Sequence, residues 1–180
     1  MTSIFAVSGS LRTGSLNTAL LNAVVDLAPA EVSFDVYEAM GALPIYNQDL
    51  EAELPPAVVD LRARIRGADG VLIATPEYNY SIPGGLKNLI DWASRPATDS
   101  VLLHKPVAIM GAAPGAFGSV RAQLALRQSF LWIDSRVMGK PEVVVFRAAE
   151  RFDEQGRLTD ESTREFLAGF LDSFLAWIDR

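Results

Sequence analysis

The 180-residue chain has no cysteine and a single histidine, His104. The first absence removes disulfides, thiolate metal sites and a cysteine nucleophile. It also fits a reducing compartment, so we expect a cytoplasmic protein. With one histidine and no thiol, no metal site is expected. A Ser-His-Asp triad would have to use His104, which directly precedes an apparent strand, so no triad is expected either. An excess of basic charge is also lacking. Sixteen Lys and Arg against 22 Asp and Glu give a net charge of −6, with no footprint for nucleic acid or an anionic membrane. No apolar run approaches the ~20 residues that span a bilayer. No basic segment precedes the first apolar run, so no leader peptide is expected. What remains is 49% hydrophobic and 21% charged, a composition for one globular domain over residues 1–180.

Strand and helix signals alternate along that domain. Ser3–Val7, Val32–Val36, Gly70–Ala74 and Pro106–Met110 read as short strands. Arg136–Met138 and Glu142–Phe146 read as one fifth strand broken around Gly139-Lys140-Pro141. Between them, Leu16–Leu27, Val58–Ala68, Pro83–Ala93 and Ser119–Ile133 carry apolar residues at helical spacing. A last helix, capped by Thr159, places Phe166, Phe170, Leu171, Phe174, Leu175 and Ile178 on one stripe. Residues 39–56 form a long connection. Five strands separated by helices predict an α/β fold of three layers: a doubly wound, five-stranded parallel sheet in the order 2-1-3-4-5. Its ligand crevice lies at the carboxyl ends of strands one and three.

The loops that follow those two strands are the unusual parts of the chain. After strand three comes Thr75-Pro76-Glu77-Tyr78-Asn79-Tyr80-Ser81-Ile82-Pro83-Gly84-Gly85. A strand-to-helix turn does not need two tyrosines, an asparagine and paired glycines. A flat, polar-edged aromatic ligand does: rings to stack on, amides for its edge, and glycines that let the backbone approach. After strand one comes Gly9-Ser10-Leu11-Arg12-Thr13-Gly14-Ser15-Leu16-Asn17, which opens a helix. Orphan N–H groups and the helix dipole favour an anion there, and Ser10, Thr13, Ser15 and Arg12 add donors. Ser15 or Thr13 also serves as a helix cap.

Two phosphate motifs are excluded. Gly9 and Gly14 have P-loop spacing, but Ser15 and Leu16 stand where lysine and a hydroxyl are required. Leu11 occupies the second glycine position of a dinucleotide fingerprint. A site for a terminal phosphate beside a site for a flat heteroaromatic describes FMN. A third small-residue loop, Gly111 to Gly118, follows strand four and converges on the same crevice.

Gly9-Ser10-Leu11-Arg12 with Ser15 and Asn17, followed by Pro76 to Gly84 and its Gly85-Leu86-Lys87-Asn88 continuation, resembles the NAD(P)H-dependent FMN reductase family. The chain is most similar there to the bacterial quinone and chromate reductases. Leu43-Pro44-Ile45-Tyr46-Asn47 and Gly139-Lys140-Pro141-Glu142 extend the resemblance over nearly the whole chain. It implies a flavodoxin-like fold, noncovalent FMN, NADPH or NADH as co-substrate, and a homodimer or homotetramer. It implies phosphate contacts at Ser10, Arg12, Ser15 and Asn17 with the Leu16 backbone N–H. Pro76, Glu77, Tyr78 and Asn79 would lie against the ring, with Ser81 beside them. Ala112, Ala113, Pro114 and Gly115 would line its dimethylbenzene or ribityl side. Ala112 and Ala113 stand where many members have serine or glycine, so only backbone contacts could persist there.

The activity implied is hydride transfer from NAD(P)H through bound FMN to flavin, quinone, azo dye or chromate in a ping-pong scheme, with no side chain as acid, base or nucleophile. Backbone N–H groups of Glu77 to Asn79, or of residues 111–115, would meet the negative charge that reduction develops. A flavodoxin-type electron carrier and a non-catalytic flavin-binding module are the alternatives. Phe130-Leu131-Trp132-Ile133 is apolar on nearly every side, so its helix is either deeply buried or partly covered by another subunit; the second is favoured, with Leu86 and Trp92 as contributors and Arg121 and Arg127 at the rim.

Overall fold

Short apolar runs form the strands because both of their faces are covered. The computed structural model describes residues 1–180. Strands β1 (Thr2–Ser8), β2 (Val32–Val36), β3 (Gly70–Ala74) and β4 (Pro106–Ala112) pair in parallel in the order β2-β1-β3-β4. Two short strands complete the sheet beyond β4. β5 (Arg136–Val137) pairs with Pro106 and Val107, and β6 (Val143–Val145) pairs with Met110 to Ala112. The expected order 2-1-3-4-5 with a divided last strand is therefore observed. Strand β4 runs two residues beyond the expected Met110, because β6 recruits Gly111 and Ala112 into the sheet.

Alternate residues of β1 enter two separate cores, as strand geometry requires. Ile4 and Ala6 pack with α1 (Leu16–Asp26) and α5 (Glu161–Ile178). Phe5 and Val7 pack with α2 (Pro56–Gly67), α3 (Gly84–Ser94) and α4 (Val120–Ile133). Both layers are needed to stabilise a sheet this apolar: β3 and β4 are buried at every position.

Several local expectations shift. Helix α3 begins at Gly84, with Pro83 just before it. Asp160, not Thr159, caps α5, accepting from the Thr163 N–H. On α5 the buried stripe is Leu167, Phe170, Leu171 and Phe174, while Phe166 is exposed. Leu86 and Trp92 are fully buried in this chain's own core, so neither contributes to a surface. The Trp92 indole donates to the Pro44 carbonyl at 2.7 Å, and Asn88 holds the same connection through Pro44 and the Tyr46 N–H. The long 39–55 segment is thereby docked onto α3.

Candidate functional site

The loop after β1 turns through Gly14, whose φ of +69° lies in the left-handed region that glycine adopts without strain. Ser15 then caps α1, its hydroxyl accepting from the N–H groups of Asn17 and Thr18 at 3.2 and 3.4 Å. Its own hydroxyl proton stays available. The backbone N–H groups of Leu11, Thr13, Gly14, Ser15 and Leu16 donate to no acceptor within the protein. They sit at the positive end of an 11-residue helix, beside the exposed Arg12. That donor set has the chemistry of a phosphate cradle.

The loop after β3 folds back on itself. Tyr78 and Ser81 exchange backbone hydrogen bonds at 3.1 and 3.0 Å, with Asn79 at φ 49° and Tyr80 at φ 68° between them. Two positive φ values make this a type I′ hairpin turn, which favours Asn at its first central position. Tyrosine is costly at the second. The Tyr78 hydroxyl lies 3.3 Å from the Ser10 Oγ and ties this loop to the first.

Glu77 is tied in the other direction. Its carboxylate accepts from the backbone N–H groups of Arg121 and Ala122 at 2.9 and 3.4 Å and from the Arg121 guanidinium at 2.6 Å. Burial pushes the Glu77 carboxyl up, but these three hydrogen bonds and the Arg121 charge outweigh it and hold the carboxyl below its ordinary range. Glu77 thus complements the start of α4. Arg121 also lies 3.8 Å above the Tyr80 ring and 5.0 Å from that of Phe117, so it is a contact of the loops and not a free rim charge. Arg127 is likewise held, donating to the Met138 carbonyl.

The third segment meets the first through Asn17. Its amide donates to the Ala112 carbonyl and accepts from the Ala112 N–H, both at 2.9 Å. Asn17 and Ala112 are both buried, so the polar groups of this pair that were expected to face a ligand are engaged with each other. The Ala113 N–H is also engaged, donating to the Val145 carbonyl. Pro114 and Gly115 are exposed. Of the expected N–H donors near the ring, that of Tyr78 is spent inside the hairpin, while those of Glu77, Asn79 and Gly115 are free of protein partners. Close packing also fixes this region: a Cβ on Gly111 would lie 1.8 Å from the Ser119 Oγ and 2.6 Å from the Thr75 carbonyl oxygen.

The three loops therefore meet at one edge of the sheet, the carboxyl ends of its strands; Ser10 to Tyr78 and Asn17 to Ala112 join them in pairs, and Glu77 to Arg121 ties the second loop to the start of α4. Sequence reasoning set Glu77 against the ring and Arg121 at an interface rim and missed their pairing, because 44 residues separate the two. No group of three or more His, Cys, Asp or Glu is placed to hold a metal ion. A separate cleft of ≈ 530 Å³ lies at the far ends of α3 and α4, between Ile90, Leu103, Trp132 and Ile133.

With this geometry in view, the likeness to known proteins becomes informative. The model of the NADPH-dependent FMN reductase family matches residues 2–150. The chain belongs to that family. An NAD(P)H-dependent FMN reductase of Pseudomonas aeruginosa is 46% identical over 178 residues, covering 98% of this chain and 95% of the relative. A 2-hydroxy-1,4-benzoquinone reductase of a Burkholderia species is 43% identical over 175 residues, covering 97% and 95%. Among solved structures, the flavoenzyme NAD(P)H:(acceptor) oxidoreductase FerB of Paracoccus denitrificans superposes with a TM-score of 0.92 at 40% identity, covering 99% of this chain and 98% of that one. Membership of the FMN reductase family agrees with the resemblance carried by the Gly9 and Pro76 segments, and the flavodoxin-like topology agrees with it as well.

Proposed function

We propose that this chain is an NAD(P)H-dependent reductase that holds FMN noncovalently and passes its electrons to quinones, free flavin or similar acceptors such as azo dyes and chromate. The observation that supports this most directly is the row of unpartnered N–H groups from Thr13 to Leu16, set at the same sheet edge as the Tyr78–Ser81 hairpin. The first segment suits a phosphate, and the second offers aromatic faces and free backbone donors to a flat ring.

In this reading the phosphate is held by Ser10, Arg12, Ser15 and the N–H of Leu16. Asn17 acts from behind by locking α1 to the end of β4. Pro76 to Asn79 and Ser81 face the ring, and the segment from Ala112 to Gly115 borders its far side. Bound FMN supplies two-electron redox chemistry between a nicotinamide coenzyme and an acceptor that use one place in turn. The protein's part is binding and orientation. The free N–H groups of Glu77, Asn79 and Gly115 are preorganised donors for negative charge on a ring edge, and no side chain acts as acid, base or nucleophile. Coenzyme and acceptor are therefore selected by the shape of the mouth, where Tyr78 and Tyr80 are exposed.

We further propose that the chain assembles as a homodimer or homotetramer through the end of α4. Leu131 and Trp132 are 80% and 89% exposed there, next to the cleft between α3 and α4. A second copy related by a two-fold axis could seat each indole in the other's cleft. We also propose a cytoplasmic location, supported by the absence of cysteine and of any helix long and apolar enough to cross a membrane.

Titration with FMN, followed by anaerobic addition of NADPH and then NADH, tests the assignment. Bleaching of the oxidised-flavin band and steady turnover with a quinone are the expected results. Reduction without turnover would leave only an electron carrier, and failure to bind FMN would refute the site.

A further inference from the structure

We propose that Arg121, at the first turn of α4 and outside all three loops, is a positioning residue for the ring-facing segment Pro76–Ser81. The proposal rests on the FMN reading above and deepens it by naming what holds that segment in place.

The hairpin tip cannot hold its own shape cheaply. Tyr80 occupies a left-handed conformation that disfavours a bulky side chain, and the residue is 72% exposed. Strain of this kind persists only when surrounding contacts over-determine it. Those contacts converge on Arg121. Its guanidinium lies over the Tyr80 ring at 3.8 Å and pairs with the Glu77 carboxylate at 2.6 Å, so it grips the segment on both sides of Tyr78. Phe117, at 5.0 Å, flanks the cation from the third loop. The Glu77 side chain is only 12% exposed and that of Arg121 31%, so the pair is shielded from screening by solvent.

The consequence is specific to location. Glu77 is held from α4, whereas the Tyr78 hydroxyl is held from the first loop through Ser10. Removing the Arg121 side chain leaves Glu77 only its two backbone N–H partners on α4 and releases the Tyr80 ring, while Tyr78 stays tied to Ser10. The ring-facing backbone from Glu77 to Asn79 would then lose its preset position, while the phosphate cradle would not. Arg121 acts through Glu77 and Tyr80 and not by touching substrate or cofactor.

The test is a double-mutant cycle of Arg121→Met and Glu77→Gln, with Arg121→Lys as the conservative variant. Glu77→Gln keeps an amide oxygen for the two backbone N–H groups of α4 and removes both the charge and the oxygen that accepts from the Arg121 guanidinium. The readouts are the FMN dissociation constant, the visible spectrum of the bound flavin, and binding of inorganic phosphate. All are taken well below the melting temperature of each variant. We expect Arg121→Met to weaken FMN binding by about tenfold or more. We also expect it to shift the bound-flavin spectrum, to leave phosphate affinity unchanged, and to be partly rescued by Arg121→Lys. The double variant should be no weaker than the worse single one, because both act through one contact. If Arg121→Met does not fold, Glu77→Gln alone must show the same loss for FMN and not for phosphate. FMN binding within about twofold of wild type, or additive effects in the cycle, would overturn the proposal. Absence of FMN binding by the wild-type protein would instead overturn the site reading beneath it.

Discussion

The amide of Asn17 faces the backbone of Ala112 as one peptide group faces another, donating to its carbonyl and accepting from its N–H at 2.9 Å each. The pair bridges 95 residues and fixes the start of α1 to the end of β4. Asn17→Ala leaves both Ala112 groups buried without partners, at a cost of about 2–4 kcal/mol. Urea denaturation should report that loss, and FMN affinity should fall with it because two of the three loops lose their mutual register.

Gly111 admits no side chain. Its ideal Cβ would overlap both the Ser119 Oγ and the Thr75 carbonyl oxygen. Gly111→Ala should destabilise the fold by about 3 kcal/mol. Adding Ser119→Gly should recover only part of that, because the Thr75 carbonyl is backbone and cannot swing away. Full recovery in thermal melts would show that the backbone contact is unimportant.

Glu77 predicts an acid limb. Its carboxyl is held below the ordinary value of 4.5, so the native state binds its proton less readily than the unfolded chain. The stabilisation is fully present above the unfolded value and is lost as pH falls through the depressed native one. The stability gap between wild type and Glu77→Gln should therefore be constant from neutral pH to about pH 5 and close below that. Urea denaturation at a series of pH values measures it, and a gap independent of pH down to acid unfolding would contradict the ion pair.

Arg12 and Ser15 predict a ligand preference. If they meet the phosphate, Arg12→Gln with Ser15→Ala should weaken FMN binding by about tenfold to a hundredfold. Riboflavin, which lacks the phosphate, should bind wild type and variant alike. Equal losses for the two flavins would move the phosphate elsewhere.

Trp132 predicts the state of assembly. Trp132→Glu places a charge on an indole site that is 89% exposed and bears no load within the chain. If copies assemble through this surface, the variant should sediment as a smaller species than wild type, with no loss of melting temperature beyond that due to dissociation. An unchanged sedimentation coefficient would exclude this surface.

Local chemistry announced much of this structure. Unbroken apolar runs at Gly70–Ala74 and Pro106–Met110 can only be strands covered on both faces, and they are. Ser15 reads as a cap from its place before a helical pattern and is one. What stayed hidden depends on distant partners. Periodicity marks Trp92 and Trp132 as equally apolar, yet the first is covered by its own chain and the second is bare. Only the fold decides which. Glu77 and Arg121, or Asn17 and Ala112, carry no signal of their pairing, because nothing in either segment names the other. On α5, Phe166 and Leu167 are one residue apart, and a shift of about 100° selects the smaller side chain for the core.

The divided strand at the sheet's margin has a further effect. A long unpaired margin invites foreign chains to add themselves by backbone pairing, the usual route to fibrils. Here that margin is cut into pieces of two and three residues, with Gly139, Lys140 and Pro141 between them. Neither piece is long enough to template a neighbour, and proline withholds a donor where the break falls. The division guards this side of the sheet alone, for the opposite margin is β2, an undivided strand of five residues.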